Sequence, residues 1–422
     1  MSPPLSEPRL FLRSLFDAAV NAAQPERTLA AFLPPRPSGR LIVVGAGKAA
    51  ASMARATEAH YGTGLSGLVI TRYGYSQPTH HIEVIEASHP VPDLAGVRAT
   101  QRLLAAVSNL TPQDLVIFLI SGGASALLCA PAQGISLEEK QELTRALLRS
   151  GAPISEVNSV RKALSLVKGG RLAEAIAPAQ LVTLAISDVA GDIPSAIGSG
   201  PTVLGDVEQG VVGSAAQSIL VKYGIVPSEA VQRALERTQP IAALPANQSF
   251  HIVASAEQSL QAAKKASLNL GIPCAILSDR LEGEAREVAK VLAALARRSA
   301  EQDEPFSAPR VLLSGGETTV TLRGEGRGGP NTELLLSMAI ELREQAGVYA
   351  LSGDTDGIDG SESNAGAIIT PDTLRRAHAL GLNPKTYLDR NDAYGFFNAL
   401  GDLVETGPTY TNVNDFRAIL IT

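Results

Sequence analysis

The sequence predicts an α/β protein built on parallel strands, and three observations carry that expectation. Short apolar runs alternate with amphipathic segments along the whole chain, the signature of strands joined by helices. Five apolar runs end in turns rich in Gly, Ser or Asp: VVGAGKAA at 43–50, IFLISGGASALL at 117–128, AISDVAGD at 185–192, VLLSGGET at 311–318 and ALSGDTDGIDG at 350–360. Trp is absent and Ala, Leu, Val and Gly dominate, as expected where helices cover parallel strands. Ligands of open α/β sheets bind beyond the carboxyl ends of the strands. Five such turns in one chain therefore suggest a shared anionic site.

A chain of 422 residues exceeds one ordinary core and predicts two domains. The pattern changes to helix and polar loop around Pro227–Pro245, which places the boundary at 243/244. Residues 1–243 then form a Rossmann-like domain with a mostly parallel sheet, and 244–422 a smaller α/β domain. In the first, an amphipathic helix over 8–31 packs on a later core. Strands follow at 40–44, 67–71, 82–87, 115–120 and 180–186, with helices at 51–60, 95–107, 137–148 and 160–175. In the second, strands at 250–254, 273–278, 310–313, 318–323, 348–352 and 417–421 enclose helices at 256–269, 282–299, 332–345 and 393–400. Asn331 reads as the N-cap of the 332–345 helix.

A net charge of −6, with no basic run and no interleaving of aromatics with Arg or Lys, argues against nucleic acid as the main partner. Cys129 and Cys274 lie far apart and outside any C-x-x-C, which suits small core residues in a reducing cytoplasm. No signal peptide or membrane span is expected.

Gly45-Ala46-Gly47-Lys48-Ala49-Ala50 fits the dinucleotide fingerprint G-x-G-x-x-A, and Arg72 at the end of the next strand would suit an NADP 2′-phosphate. Lys48 could instead place a charge at an anionic substrate, or simply sit on a tight turn. In Ser121-Gly122-Gly123-Ala124-Ser125 the glycines let backbone N–H groups approach a phosphate, and the following helix would add its positive end. A tight turn packed with small residues is the plainer alternative. Asp188 with Asp192, and Asp356 with Asp359, at strand ends beside glycines, suit a base role or Mg2+, which takes one or two carboxylates plus phosphates; Asx-turns would explain them equally. Arg327, in a loop of glycines, suits a bidentate oxyanion contact or a mobile surface loop. Arg161, Lys162 and Lys168 read mostly as a solvated helix face, and His89, rigidly held between Ser88 and Pro90, as a ligand contact or, somewhat better, a structural residue.

The stretches VGAGKAA, SHPVPD, ISGGASALL, VNSVRKALSLVKGGRLA, ISDVAGDIPSAIGSGPTV, LSGGETTVTLRGEGRGGPNTE, DTDGIDGSESNAGA and TGPTYTNVND together resemble the MOFRL-type, or class II, glycerate 2-kinases, in the expected order over nearly the whole chain. The resemblance implies transfer of the γ-phosphate of ATP to D-glycerate, giving 2-phosphoglycerate, with a divalent metal, Mg2+. It also implies an active site in the cleft between two α/β domains. The family's lysine falls on Lys48 and its phosphate loop on Ser121–Ser125. Two positions depart from the family pattern: Ala163 stands where His is frequent, and Pro330 where Arg is frequent, so that Arg327 would take over an anion contact. The expected assignments are Lys48, Arg327 and Asp192 in catalysis; Gly45, Gly47, Ser121, Gly122, Gly123, Ala124 and Ser125 at the nucleotide phosphates; Lys48, Arg327 and Asn331 at the substrate; and Asp188, Asp192 and Asp356 at the metal. A soluble cytoplasmic enzyme, as a homo-oligomer, is the accompanying expectation. Some relatives carry the label hydroxypyruvate reductase, so an NADP-dependent reductase using the 45–50 turn is the competing one.

Overall fold

A computed structural model describes residues 3–205, 212–239, 241 and 243–422. Pro240 and Ala242, inside the stretch where the sequence pattern changes, lie outside the described residues. The rest divide into two compact units. One comprises Pro25–Ser187 and Asp192–Val253; the other comprises the segment through Gln24, Asp188–Gly191 and Ala254–Thr422.

The first unit is built on six strands: β1 (Leu41–Ala46), β2 (Leu65–Arg72), β3 (Ile82–Ala87), β4 (Leu115–Ile120), β5 (Gln180–Ile186) and β6 (Gln248–Ala254). Their spatial order is β3-β2-β1-β4-β5-β6. That is the order of the doubly wound mononucleotide-binding sheet. The pairs β2/β3, β1/β2, β1/β4 and β4/β5 are parallel. Strands β1 and β4 are buried at every residue, because helices cover the sheet; this is why they read as unbroken apolar runs. Because β6 joins the edge at β5, the first unit continues to Val253, past the 243/244 boundary expected from the pattern. A separate helical cluster gathers Leu143, Leu147, Val157, Val160, Leu220, Val231 and Leu235 from helices Leu137–Arg149, Ile154–Ala163, Val212–Lys222 and Glu229–Arg237.

The second unit contains β7 (Cys274–Ser278), β8 (Gly283–Glu284), β9 (Arg310–Gly316), β10 (Thr318–Thr319), β11 (Val348–Asp354), β12 (Gly366–Ile369), β13 (Leu403–Val404) and β14 (Asp415–Ile421). Strands β8 and β10 form a short ribbon, and the other six a sheet in the order β13-β12-β11-β14-β9-β7. This sheet is mixed: only β7/β9 pairs parallel, while β14 runs antiparallel to both β9 and β11. One face packs on helices Pro8–Ala22 and Ala256–Asn269 through Phe11, Leu12, Leu15, Phe16, Leu260 and Ala263. The other face packs on Ala285–Gln302 and Pro330–Leu342. The helix Pro8–Ala22 thus packs on a later core, as its spacing predicts, but ends at Ala22 rather than continuing to 31, since Pro25 starts a separate turn. Both cysteines are buried and unpaired, and burial pushes the Cys274 thiol up to about 11. Among the described residues no helix is long and apolar enough to cross a membrane.

Candidate active site

In the first unit the strand order reverses between β1 and β4, and the turns leaving these two strands lie side by side. Gly45 lies within β1, where a Cβ would come within 2.4 Å of the Leu119 carbonyl. At Gly47 (φ +141°) a Cβ would strike Ser121 Oγ. The N–H groups of this turn are donated inward. Gly47 N–H donates to Ile70 O at 3.0 Å, Lys48 N–H to Gly122 O at 2.8 Å, Ala49 N–H to Ser121 Oγ at 2.9 Å, and Ala50 N–H to Gly47 O at 3.1 Å. Glycine is needed here because two turns approach closely, and the amides that a dinucleotide pyrophosphate would require are already engaged.

The second turn differs. Ser121 is fully buried and acts as a latch: its N–H donates to Ala46 O and its hydroxyl accepts from Ala49. Among the described residues no acceptor meets the N–H of Gly122 or Gly123. Gly123 is left-handed (φ +82°), and a Cβ there would lie 3.1 Å from His89 Cδ2 and 3.4 Å from Lys48 Cγ. A lysine stem and an imidazole therefore meet at Gly123, in a turn with two successive open amides, an arrangement suited to an oxyanion. The helix after it, Ala124–Leu127, is a single turn, so it contributes little of the positive end expected of it.

Ser125 points the other way. Its hydroxyl lies 2.7 Å from Ser199 Oγ, and Lys168 Nζ donates to its carbonyl at 2.8 Å and its hydroxyl at 3.2 Å. Arg161 reaches the same carbonyl at 3.4 Å. Lys168 is thus a buried side chain rather than part of a solvated helix face. The 160–175 helix is in fact interrupted: one helix ends at Ala163 and the next starts at Arg171, with Gly169 and Gly170 both at positive φ. The interruption turns Lys168 inward. Burial, and then Arg161, hold its ammonium well below the ordinary lysine range.

In the second unit the aspartate loop after β11 meets the segment 409–415. Thr355 N–H donates to Asn414 O and Thr409 N–H to Asp356 O. Asp356 is fully buried, and its carboxylate accepts from Ile358 N–H at 2.8 Å. Asp188 joins the same segment: its carboxylate accepts from Asn412 Nδ2 at 3.4 Å and its carbonyl from Asn414 Nδ2. Asp188 and Asp356 therefore belong to one neighbourhood, while Asp192 (φ +56°) falls in the other unit. Among the described residues no three His, Cys, Asp or Glu side chains are grouped to hold a metal alone.

Asn331 is not the N-cap expected of it. The helix starts at Pro330 with Gly329 as N-cap. Asn331 is buried, and its amide is consumed within the protein: Nδ2 donates to Asp359 at 3.3 Å and to Asp415 at 2.6 Å, and Oδ1 accepts from Ser352. It positions neighbours. The side chain that satisfies the first helical amides is Asp359, fully buried, whose carboxylate accepts from the N–H of Asn331 and Thr332, both at 2.9 Å, and from Thr332 Oγ1 at 2.7 Å. Burial pushes this carboxyl up to about 6. Pro330 occupies the first helical position, where no N–H is missed. Arg327 is exposed, with its guanidinium over the Tyr394 ring at 4.8 Å and 3.3 Å from Glu362. Its loop is fastened rather than free: Gly326 N–H donates to Arg390 O and Tyr394 N–H to Arg327 O. Ala163 is buried, and its carbonyl accepts from Thr238 Oγ1.

Asn412 and Asn414 enter these sites without having been singled out as functional, while His89 and Lys168, read chiefly as structural and as a solvated face, and Asp359, read as a metal or base candidate, take other places than expected. A rigid His-Pro turn, a Lys-Gly-Gly break and the asparagines of TNVND were the available signals.

Residues 11–236 match the family described as "Domain of unknown function (DUF4147)", and residues 310–415 match the MOFRL family. An Agrobacterium vitis protein provisionally named a hydroxypyruvate reductase is 49% identical over 417 residues, covering 98% of this chain and 94% of that protein. The D-glycerate 2-kinase of Thermotoga maritima is 41% identical over 405 residues, with 96% of each chain covered. The crystal structure of the glycerate kinase from Thermotoga maritima superposes with a TM-score of 0.90 at 39% identity, covering 99% of this chain and all of that one.

Proposed function

This chain belongs to the family of MOFRL-type glycerate 2-kinases, and from that premise we propose that it transfers the γ-phosphate of ATP to the 2-hydroxyl of D-glycerate. The observation that carries the reading is the division of labour between the two turns of the first unit. The 45–50 turn spends its amides inside the protein, whereas the 121–125 turn leaves those of Gly122 and Gly123 open beside Lys48 and His89. A dinucleotide reductase would need the first set free; a phosphate-gripping enzyme needs the second.

Phosphoryl transfer demands positioning and charge neutralisation more than covalent chemistry. Gly122 and Gly123 N–H groups would hold phosphate oxygens, with Lys48 neutralising charge on the moving phosphoryl group. His89, against Gly123, is a fixed wall that would orient a bound oxyanion. Arg327, presented by a tethered loop and an aromatic face, would take the glycerate carboxylate. Asn331 would act on the substrate indirectly, through Asp359 and Asp415. Asp188 and Asp356 are the carboxylates that would hold Mg2+, which when bound supplies charge neutralisation at the phosphates.

The test is direct. Protein is incubated with D-glycerate, ATP and Mg2+, ADP is measured, and the product is examined by phosphorus NMR, where a 2-phosphate couples to one proton and a 3-phosphate to two. NADPH oxidation with hydroxypyruvate is followed in parallel. ADP formation with a 2-phosphate is expected; NADPH loss without ADP would overturn the reading in favour of the reductase.

A further inference from the structure

Behind the 121–125 turn, the first unit gathers cations that the kinase reading does not use. Lys140, from the helix Leu137–Arg149, is buried, and its Nζ has no hydrogen-bond partner. Lys168 is fully buried on Ser125 and Gly198, and Arg161 converges on the same Ser125 carbonyl. Lys162 is buried beside them in sequence and repels Lys168. Burial holds both Lys140 and Lys168 below the ordinary lysine range, and the charges add to it: Arg161 depresses Lys140, and both depress Lys168. Among the described residues none of Lys140, Arg161 or Lys168 has a carboxylate partner; the acidic group that faces all three is the buried thiol of Cys129. The nearby acids are committed elsewhere, Glu139 to Ser228 and Ser136, and Glu156 to Lys222. Taking several like charges out of water without a counter-charge is strongly unfavourable. Ser125 and Arg161 are only partly buried, so the cluster reaches the surface at that end.

We propose that Lys140, Arg161 and Lys168 form an oxyanion site for a phosphate group, separate from the Gly122–Gly123 amides and filled by either a nucleotide phosphate or free phosphate. Arg161 supplies a planar fork and Lys140 an unspent ammonium, a pairing suited to the several oxygens of a doubly charged phosphate. Lys168 fixes the Ser125 carbonyl and adds field.

The full chain is titrated calorimetrically with inorganic phosphate at constant ionic strength, in the Lys48→Met background to weaken the amide site. One phosphate is expected to remain bound. Lys140→Met should weaken it about tenfold or more, and Lys140→Arg should restore it. If Lys140→Met fails to fold, Lys140→Gln serves in its place. Phosphate affinity unchanged by the neutral substitution, or no phosphate bound in the Lys48→Met background, would overturn the site. Competition by a non-hydrolysable ATP analogue assigns the phosphate to the nucleotide; lack of competition assigns it to free phosphate. Retained binding in a chain that forms no ADP would sink the kinase reading and leave this site standing.

Discussion

Lys48 is the residue on which the proposed chemistry turns. Its backbone is fastened to Gly122 and its side chain runs past Gly123, so its position does not depend on bound ligand. Its removal should therefore act on catalysis rather than folding. Lys48→Ala is expected to lower kcat by about 100- to 1,000-fold, the usual loss when one electrostatic stabiliser is removed. Its circular dichroism spectrum and melting temperature should match the wild type. Near wild-type turnover would remove Lys48 from the mechanism. Lys48 could be chosen from sequence because a lysine in a strand-to-helix turn has few structural uses. Lys168 could not, because helical periodicity places it with Arg161 and Lys162 on a polar stripe. Only the break at Gly169 and Gly170 turns it inward.

At the scale of elements, two buried carboxylates fasten the chain where strands and helices begin. Asp114 precedes β4 and accepts from the Arg40 backbone at 2.6 Å, the Arg40 guanidinium at 3.0 Å, and Thr111 N–H at 2.8 Å. The Arg40 guanidinium is the main cause holding its carboxyl well below the usual range. A depressed folded-state value adds stability above the unfolded value, near 4, and that stability is lost as pH falls below it. Asp114→Asn should therefore melt lower than wild type at pH 7, with the gap closing as pH falls from about 4; a constant gap would contradict the assignment. Asp359 fastens the start of the helix Pro330–Leu342, with its carboxyl pushed up by burial rather than held down. Asp359→Ala leaves the N–H groups of Asn331 and Thr332 buried without an acceptor, while the Thr332 hydroxyl keeps the Gly329 carbonyl, and should cost about 2–4 kcal/mol in denaturant unfolding; a loss under about 0.5 kcal/mol would show that the cap is not needed.

Elements whose burial matches their pattern were legible. Strands β3, β4 and β5 and the helices at 256–269 and 393–400 fall where the apolar spacing puts them. The second sheet was harder. Four-residue β12 and two-residue β13 carry too few side chains to establish a period, and the expected 318–323 strand shrinks to β10 because only Thr318 and Thr319 find a partner. An antiparallel β14 between β9 and β11 leaves no local mark, since strand direction is set by where the connections run.

For the whole molecule, the units are not contiguous in sequence. The helix Pro8–Ala22 supplies Phe11, Leu12, Leu15 and Phe16 to the core beneath β9, β11 and β14. Burying each such side chain is worth about 1.5–3 kcal/mol, comparable in sum to the whole stability of a domain. A chain of residues 254–422 expressed alone should thus be insoluble or molten, lacking a cooperative melting transition. Adding a separate peptide of residues 3–24 should restore cooperativity. Cooperative unfolding of 254–422 without the peptide would show that the helix is dispensable.

That helix also leaves the ribosome long before the strands it covers. Its apolar face must wait until synthesis has passed β14, on the order of tens of seconds at ordinary elongation rates. Throughout that interval four large side chains have no native surface to meet, while the first unit can already close around β1–β6. This early-made helix is thus among the last elements to find its place, and its apolar face is a target for nascent-chain chaperones in the interval.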